Sequence, residues 1–180
     1  MINRDWTKVD LLRHVRHDWL NKLQLIKGNL DLNKIDRTKE IISEIVIQAQ
    51  NETKLSNLNF PNLTLLLLTH NWEPHSFQIE FEVLNHMKCN ELDDQMVTEW
   101  IRQFFLQLDD ALKPFGENHL SLTLEPQEQG IRFFFDFCGT IEKTEMIQTF
   151  IEKQSPGVYI QQGEIGDEEF SLEVLFQQDT

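Results

Sequence analysis

Six side chains between residues 13 and 22 have the types that could handle a phosphoryl group. They are Arg13, His14, Arg16, His17, Asp18 and Lys22, with Asn21 one turn beyond His17. An imidazole offers a neutral nitrogen nucleophile, and nearby cations offset the charge of phosphoryl oxygens. Asp18, next to His17, is placed to hydrogen-bond the ring and tune its basicity. The competing reading is a solvated helix face with no chemistry, and residue types alone do not decide between the two.

The helix that must carry these residues has a clear period. Leu12, Val15, Trp19, Leu23, Ile26 and Leu30 step by three or four over residues 8–32, which predicts an amphipathic helix. At 100° per residue, with Leu12 at zero, this stripe centres near roughly 340° and His17 falls at about 140°. Within roughly 60° of His17 lie Asp10, Arg13, His14, Asn21, Gln24 and Gly28. His17 is therefore expected on the solvent side and not in a core. Gly28 is out of place in an exposed helix interior, where glycine costs about 1 kcal/mol relative to alanine. Its expected use is to let another backbone approach closely.

A short break at 33–36 leads to a second predicted helix over 37–56, with Ile41, Ile42, Ile45, Val46 and Ala49 on its inner side. Two such helices form an antiparallel hairpin. A hairpin alone buries one stripe per helix, so pairing into a dimeric four-helix bundle is expected. SNLNFPNL (56–63) marks a boundary, giving expected domains of 1–58 and 59–180. Beyond it the pattern predicts a helix near 61–71, a strand at 77–84, a long helix over 91–115, strands at 119–126 and 130–139, a helix at 142–153, and a closing hairpin of 158–165 and 170–177. The fold class is α+β, a helical hairpin followed by an α/β sandwich.

Charge separates the two parts. Residues 1–58 hold 10 Lys and Arg against 8 Asp and Glu, whereas the rest hold 6 against 22. The acidic part argues against nucleic acid, because phosphate backbones need a basic surface. The mildly basic part suits an acidic partner or a phosphoryl group. The opening residues are too polar for a signal peptide, and the longest apolar run, LTLLLL at 63–68, is too short to span a bilayer, so a cytoplasmic protein without membrane association is expected. Cys89 and Cys138 fit no metal or redox spacing and are expected to be free thiols. His86 and Cys89 form an H-x-x-C pair without further ligands, so no metal site is expected. His70 and His75 are five apart and do not share a helix face, and His119 begins a strand.

RHDWLNKLQLIKGNLDL (16–32), followed by a second helix ending in ETKLSNL (52–58), closely resembles the sporulation initiation phosphotransferase B family of endospore-forming bacteria. The H-D-x-x-N-K-L core also looks like the phosphoacceptor helix of citrate- and dicarboxylate-sensing histidine kinases. HNWEPHSFQIEFEVL (70–84) extends the likeness, which thins after about residue 120. The resemblance implies a cytoplasmic homodimer. His17 would accept a phosphoryl group from the aspartyl phosphate of a single-domain response regulator and pass it to an aspartate of a second regulator, a sporulation transcription factor. Arg13, His14, Arg16, Asn21, Lys22, Gln24 and Gly28 would form the docking face, and Asp18 would orient the imidazole. No cofactor would be bound by this chain, the Mg²⁺ for such transfers belonging to the regulator.

The family's C-terminal domain resembles the ATP-binding domain of histidine kinases, which makes an ATP-dependent kinase core one alternative. Against it, LDDALKPF (108–115) has Asp109 and Asp110 where kinases carry an asparagine. DFCGTI (136–141) has Cys138 and Thr140 at the glycine positions of the kinase turn. With seven glycines in all, no glycine-rich phosphate loop is evident. The other alternative is a non-catalytic dimeric protein that sequesters a regulator.

Overall fold

The computed structural model describes residues 7–85 and 92–178, apart from the side chains of Gln162 and Glu164. His86 and Cys89 lie outside the described residues. Two compact units are present, dividing between Gln50 and Asn51.

The first unit is the helical hairpin. Helix α1 runs Lys8–Asp31 and is capped by Thr7, whose hydroxyl oxygen accepts from the Asp10 N–H at 3.2 Å. Helix α2 runs Ile35–Ser56. The turn between them is one residue tighter than the predicted break. Asn33 takes a left-handed conformation (φ 54°), which asparagine tolerates better than most residues. The Asn33 and Lys34 N–H groups close the turn on the carbonyls of Leu30 and Asn29.

The packing of α1 corrects the expected stripe. Leu12, Val15, Trp19, Leu23 and Leu30 are all exposed, Trp19 by 49%. The partly covered positions are instead Asp10, Leu11, His14, Asp18, Lys22, Ile26 and Asn29. Lys22 Nζ donates across the hairpin to Gln48 Oε1 at 2.9 Å, which marks this as the seam facing α2. On a helical wheel the seam lies about 80° from the apolar stripe, with Ile26 shared between them. Two antiparallel helices meet along a narrow line, so a broad stripe extends past it. On α2, Thr38 and Ile41 are buried, whereas Ile42 and Val46 remain exposed.

The second unit contains α3 (Pro61–Thr69), a 3-10 turn (His70–Trp72), β1 (Gln78–Val83), α4 (Asp94–Ala111), β2 (His119–Gln127), β3 (Gly130–Cys138), α5 (Thr144–Ile151), β4 (Val158–Ile165) and β5 (Glu169–Gln177). The sheet order is β1-β2-β3-β5-β4. Only β1–β2 is parallel. Alternation in β2, β3 and β5, broken only at the start of β3 where Gly130 and Ile131 are both buried, sends Leu120, Leu122, Leu124, Phe133, Phe135, Phe137, Leu172, Val174 and Phe176 into the core and the residues between them outward. On the core side, Trp100 and Phe104 of α4 stack 5.6 Å apart, and Phe104 meets Phe135 edge-on at 5.1 Å.

Helix α4 stops at Ala111, short of the expected 115. Leu112 is already extended and bridges to Ile141, and Pro114 disfavours the helical region for the residue before it, Lys113. The helix also completes α3. Phe60 gives that helix no side-chain cap, and Asp94 accepts from the Asn62 and Leu63 N–H groups instead, at 2.8 and 3.1 Å. The open edge of β1 is occupied by side chains. Asn71 pairs with both backbone groups of Ile79, and Lys54 donates to the Val83 carbonyl at 2.8 Å. Leu55 and Leu58 are buried in the same core, which is why this unit takes in the end of α2.

Candidate functional site

His17 stands on the face of α1 roughly 120° from the hairpin seam and about 160° from the apolar stripe. Its side chain is 71% exposed. The amide nitrogen of Asn21, one turn on, lies 3.2 Å from Nδ1, and Asp18 Oδ1 lies 3.7 Å from the same nitrogen. Both contacts fix the imidazole through Nδ1. An Asn21 amide that donates to Nδ1 places the ring proton on Nε2; turned by 180°, it accepts from Nδ1–H and leaves the Nε2 lone pair available. Asp18 favours that second tautomer, because a carboxylate only accepts.

The remaining sequence-derived residues divide into two groups. Asn21, Gln24 and Gly28 share the exposed side with His17. A Cβ built on Gly28 meets nothing within 4 Å, so its surroundings in the single chain do not require a glycine. The others are engaged locally. Arg13 pairs with Asp10 at 3.2 Å, and His14 is half-buried with Nδ1 3.0 Å from the Asp10 carbonyl. Arg16 Nε donates to the Leu12 carbonyl at 3.2 Å. Lys22 belongs to the seam, bonded to Gln48 and with its ammonium 5.6 Å from the Trp19 ring centre, away from His17. Leu20, on the edge of the His17 face and 57% exposed, adds an apolar side chain that the polar pattern of that face does not reveal.

In the second unit, the turn that follows β3 is closed internally. The Gly139, Thr140 and Ile141 N–H groups donate to the Glu168 carbonyl, Asn118 Oδ1 and the Asp167 carbonyl, each at 2.8 Å. The space beside Gly139 is filled by Asn118, whose Oδ1 would lie 2.3 Å from an added Cβ. Asn118 is 5% exposed and also donates to the carbonyls of Ser76 and Lys113. Sequence periodicity gives no sign of this role.

His70 and His75 come together despite lying on no common helix face, because the 3-10 turn reverses the chain between them. Their rings stack with centroids 4.0 Å apart. Asp109 accepts from His75 Nδ1 at 2.6 Å and from the Ser76 N–H at 2.7 Å. Burial pushes its carboxyl up, but the His75 and Ser76 hydrogen bonds and the nearby imidazole charge outweigh that and hold it below the ordinary range. Cys138 is a free, exposed thiol. Among the described residues, no cluster of three or more His, Cys, Asp or Glu side chains is arranged to hold a metal ion. Nor is any helix long and apolar enough to cross a membrane.

Comparison with known proteins covers both units. Residues 3–58 match the family described as sensor kinase SpoOB-type, alpha-helical domain, and residues 59–177 match sporulation initiation phospho-transferase B, C-terminal. The chain is 40% identical over 169 residues to sporulation initiation phosphotransferase B of Bacillus subtilis (strain 168), across 92% of this chain and 88% of that one. Among solved structures it is similar to the Acinetobacter baumannii histidine kinase AdeS, at 10% identity and a TM-score of 0.45, covering 91% of this chain and 98% of that one. It is also similar to a structure described as a bacterial phosphotransferase, at 14% identity and a TM-score of 0.37, covering 97% of this chain and 100% of that one.

Proposed function

The chain belongs to the sporulation initiation phosphotransferase B family, and on that premise we propose that it relays a phosphoryl group between two response regulators through His17. Phosphotransfer is the activity of the family; the acceptor residue, the partners and the direction are our reading. The observation that carries it is an imidazole 71% exposed on the outer face of α1, with Asn21 and Asp18 both beside Nδ1.

The Nε2 lone pair attacks the phosphorus of the donor's aspartyl phosphate. A P–N bond forms, the P–O bond breaks, and the donor carboxylate leaves with the electron pair. Nδ1–H, facing Asp18 and an Asn21 amide turned to present its oxygen, carries the positive charge that develops on the ring, and the Asp18 carboxylate offsets it. In the second half the acceptor's aspartate attacks the same phosphorus, and His17 leaves as neutral imidazole. Positioning and charge stabilisation supply most of the catalysis. Mg²⁺ serves from the acidic pocket of the regulator and not from this chain.

Docking uses the outer face of α1 around His17, with Asn21, Gln24 and Gly28 toward the regulator and Arg13, His14 and Arg16 as flanking cations and donors. Lys22 acts from the seam by fixing Trp19. The exposed Leu12, Val15, Trp19, Leu23, Ile42 and Val46 side chains support a homodimer in which two hairpins cover one another's stripes. A cytoplasmic location fits the chemistry, since the partners are intracellular regulators.

An ATP-dependent kinase is the weaker reading, because the turn that would cradle phosphates has its N–H groups bonded internally and its space filled by Asn118. The test mixes the purified chain with a regulator bearing labelled aspartyl phosphate, without ATP. Acid-labile label on the wild-type chain and none on His17→Gln supports the relay. Regulator binding without transfer means a sequestering protein instead.

A further inference from the structure

The segment from the 3-10 turn into β1 is fastened to α4 by a pair of stacked imidazoles that the proposed transfer does not use. His70 is 4% exposed. One face of its ring lies flat on His75, with an interplanar angle of 6°, and the rings of Phe77 and Phe105 are 4.7 and 5.0 Å away. His70 Nε2 lies 3.3 Å from the Phe77 carbonyl. His75 in turn donates to Asp109 of α4, which also receives the Ser76 N–H. Asn118 ties the Ser76 carbonyl from the other side.

We propose that the His70–His75–Asp109 cluster is a proton-released latch. It holds residues 70–79 against α4 while His70 is neutral, and acid releases that segment ahead of the rest of the sheet.

The physical reason is the poverty of the His70 site for a cation. Asp109 from α4 and His75 from the connecting segment are the titratable groups that act on His70. Phe77, just before β1, adds its carbonyl and ring, and α4 adds the Phe105 ring. Burial, then the charge of His75, pull the His70 pKa down to about 3, and the Phe77 carbonyl and Asp109 oppose this less strongly. Once the segment opens, His70 regains an ordinary value near 6.5. A group whose folded pKa is lowered in this way binds its proton preferentially in the opened state, so falling pH favours opening between those two values. From pH 7 to pH 5 the opening constant rises about 25-fold. Asp109, held below its usual range, stays ionised from pH 7 to pH 5, so the opening over that range follows His70 and not protonation of Asp109.

The test is amide hydrogen exchange of the full chain at pH 7 and pH 5, corrected for intrinsic exchange. The Ser76 and Ile79 amides report on the latch, being bonded to Asp109 and Asn71, and Phe133 in the centre of β3 serves as reference. Protection at Ser76 and Ile79 should fall about 25-fold on acidification while Phe133 keeps its own. In His70→Gln, that acid-dependent loss should disappear. Loss in step with Phe133, or no loss at all, overturns the latch. If His70→Gln does not fold, a ring-proton NMR titration of the wild type decides the matter. His70 should remain neutral at pH 5, and a midpoint near 6.5 would overturn the proposal.

Discussion

Replacing Gly28 with alanine should stabilise the protein and slow its reaction at the same time. Gly28 sits inside α1 with helical neighbours on both sides, and an added Cβ meets nothing within 4 Å. The single chain therefore gains helix propensity without a clash, worth about 1 kcal/mol. Gly28 follows His17 by eleven residues, or about three turns. It lies roughly 16.5 Å further along α1 and about 20° around it, on the same exposed face. A regulator seated on His17 extends over that point. If its backbone rests on the bare glycine, the new methyl group must displace it, at about 1–3 kcal/mol. Transfer from a subsaturating phosphoregulator should then slow by roughly 5- to 150-fold. Urea unfolding gives the first quantity, and single-turnover transfer to the chain gives the second. A stabilised Gly28→Ala that transfers at the wild-type rate would refute the placement of a partner backbone over Gly28.

Other outcomes follow from the same geometry. Asn118→Ala strands the Thr140 N–H and the carbonyls of Ser76 and Lys113, and should lower the urea-unfolding stability by about 3 kcal/mol. A loss under 1 kcal/mol would mean that those groups find other partners. Asp18→Asn and Asn21→Ala should each slow phosphoryl uptake about tenfold without changing regulator affinity, since both act on the His17 ring and not on docking. A change confined to affinity would assign them to docking. Trp19→Asp puts a charge in the middle of the exposed stripe and should shift sedimentation from dimer toward monomer. An unchanged sedimentation coefficient would place the dimer contact elsewhere.

How much of this was readable in the sequence depended on whether the signal was periodic. The β2, β3 and β5 strands follow their apolar alternation almost residue for residue, because a sheet with one covered face imposes a period of two. The exposure of His17 also followed from angle alone. The stripe of α1 was legible as apolar but not as unburied, since periodicity does not say whether the covering surface comes from the same chain. Lys22 illustrates the same point. Its charge suggested docking, yet its position on the wheel places it on the seam with Gln48. Contacts made across a turn left no local trace. The His70–His75 stack depends on a reversal between them, and Asn118 is one polar residue in a loop whose three bonds reach 42, 22 and 5 residues away.

The central claim is that His17 itself carries the phosphoryl group. It is tested most directly by mapping the phosphorylated residue after incubation with labelled phosphoregulator in the absence of ATP. The account predicts a single acid-labile phosphohistidine at His17, absent from His17→Gln, with label passing onward when an unphosphorylated second regulator is added. Label on another residue, or equal labelling of His17→Gln, would contradict it.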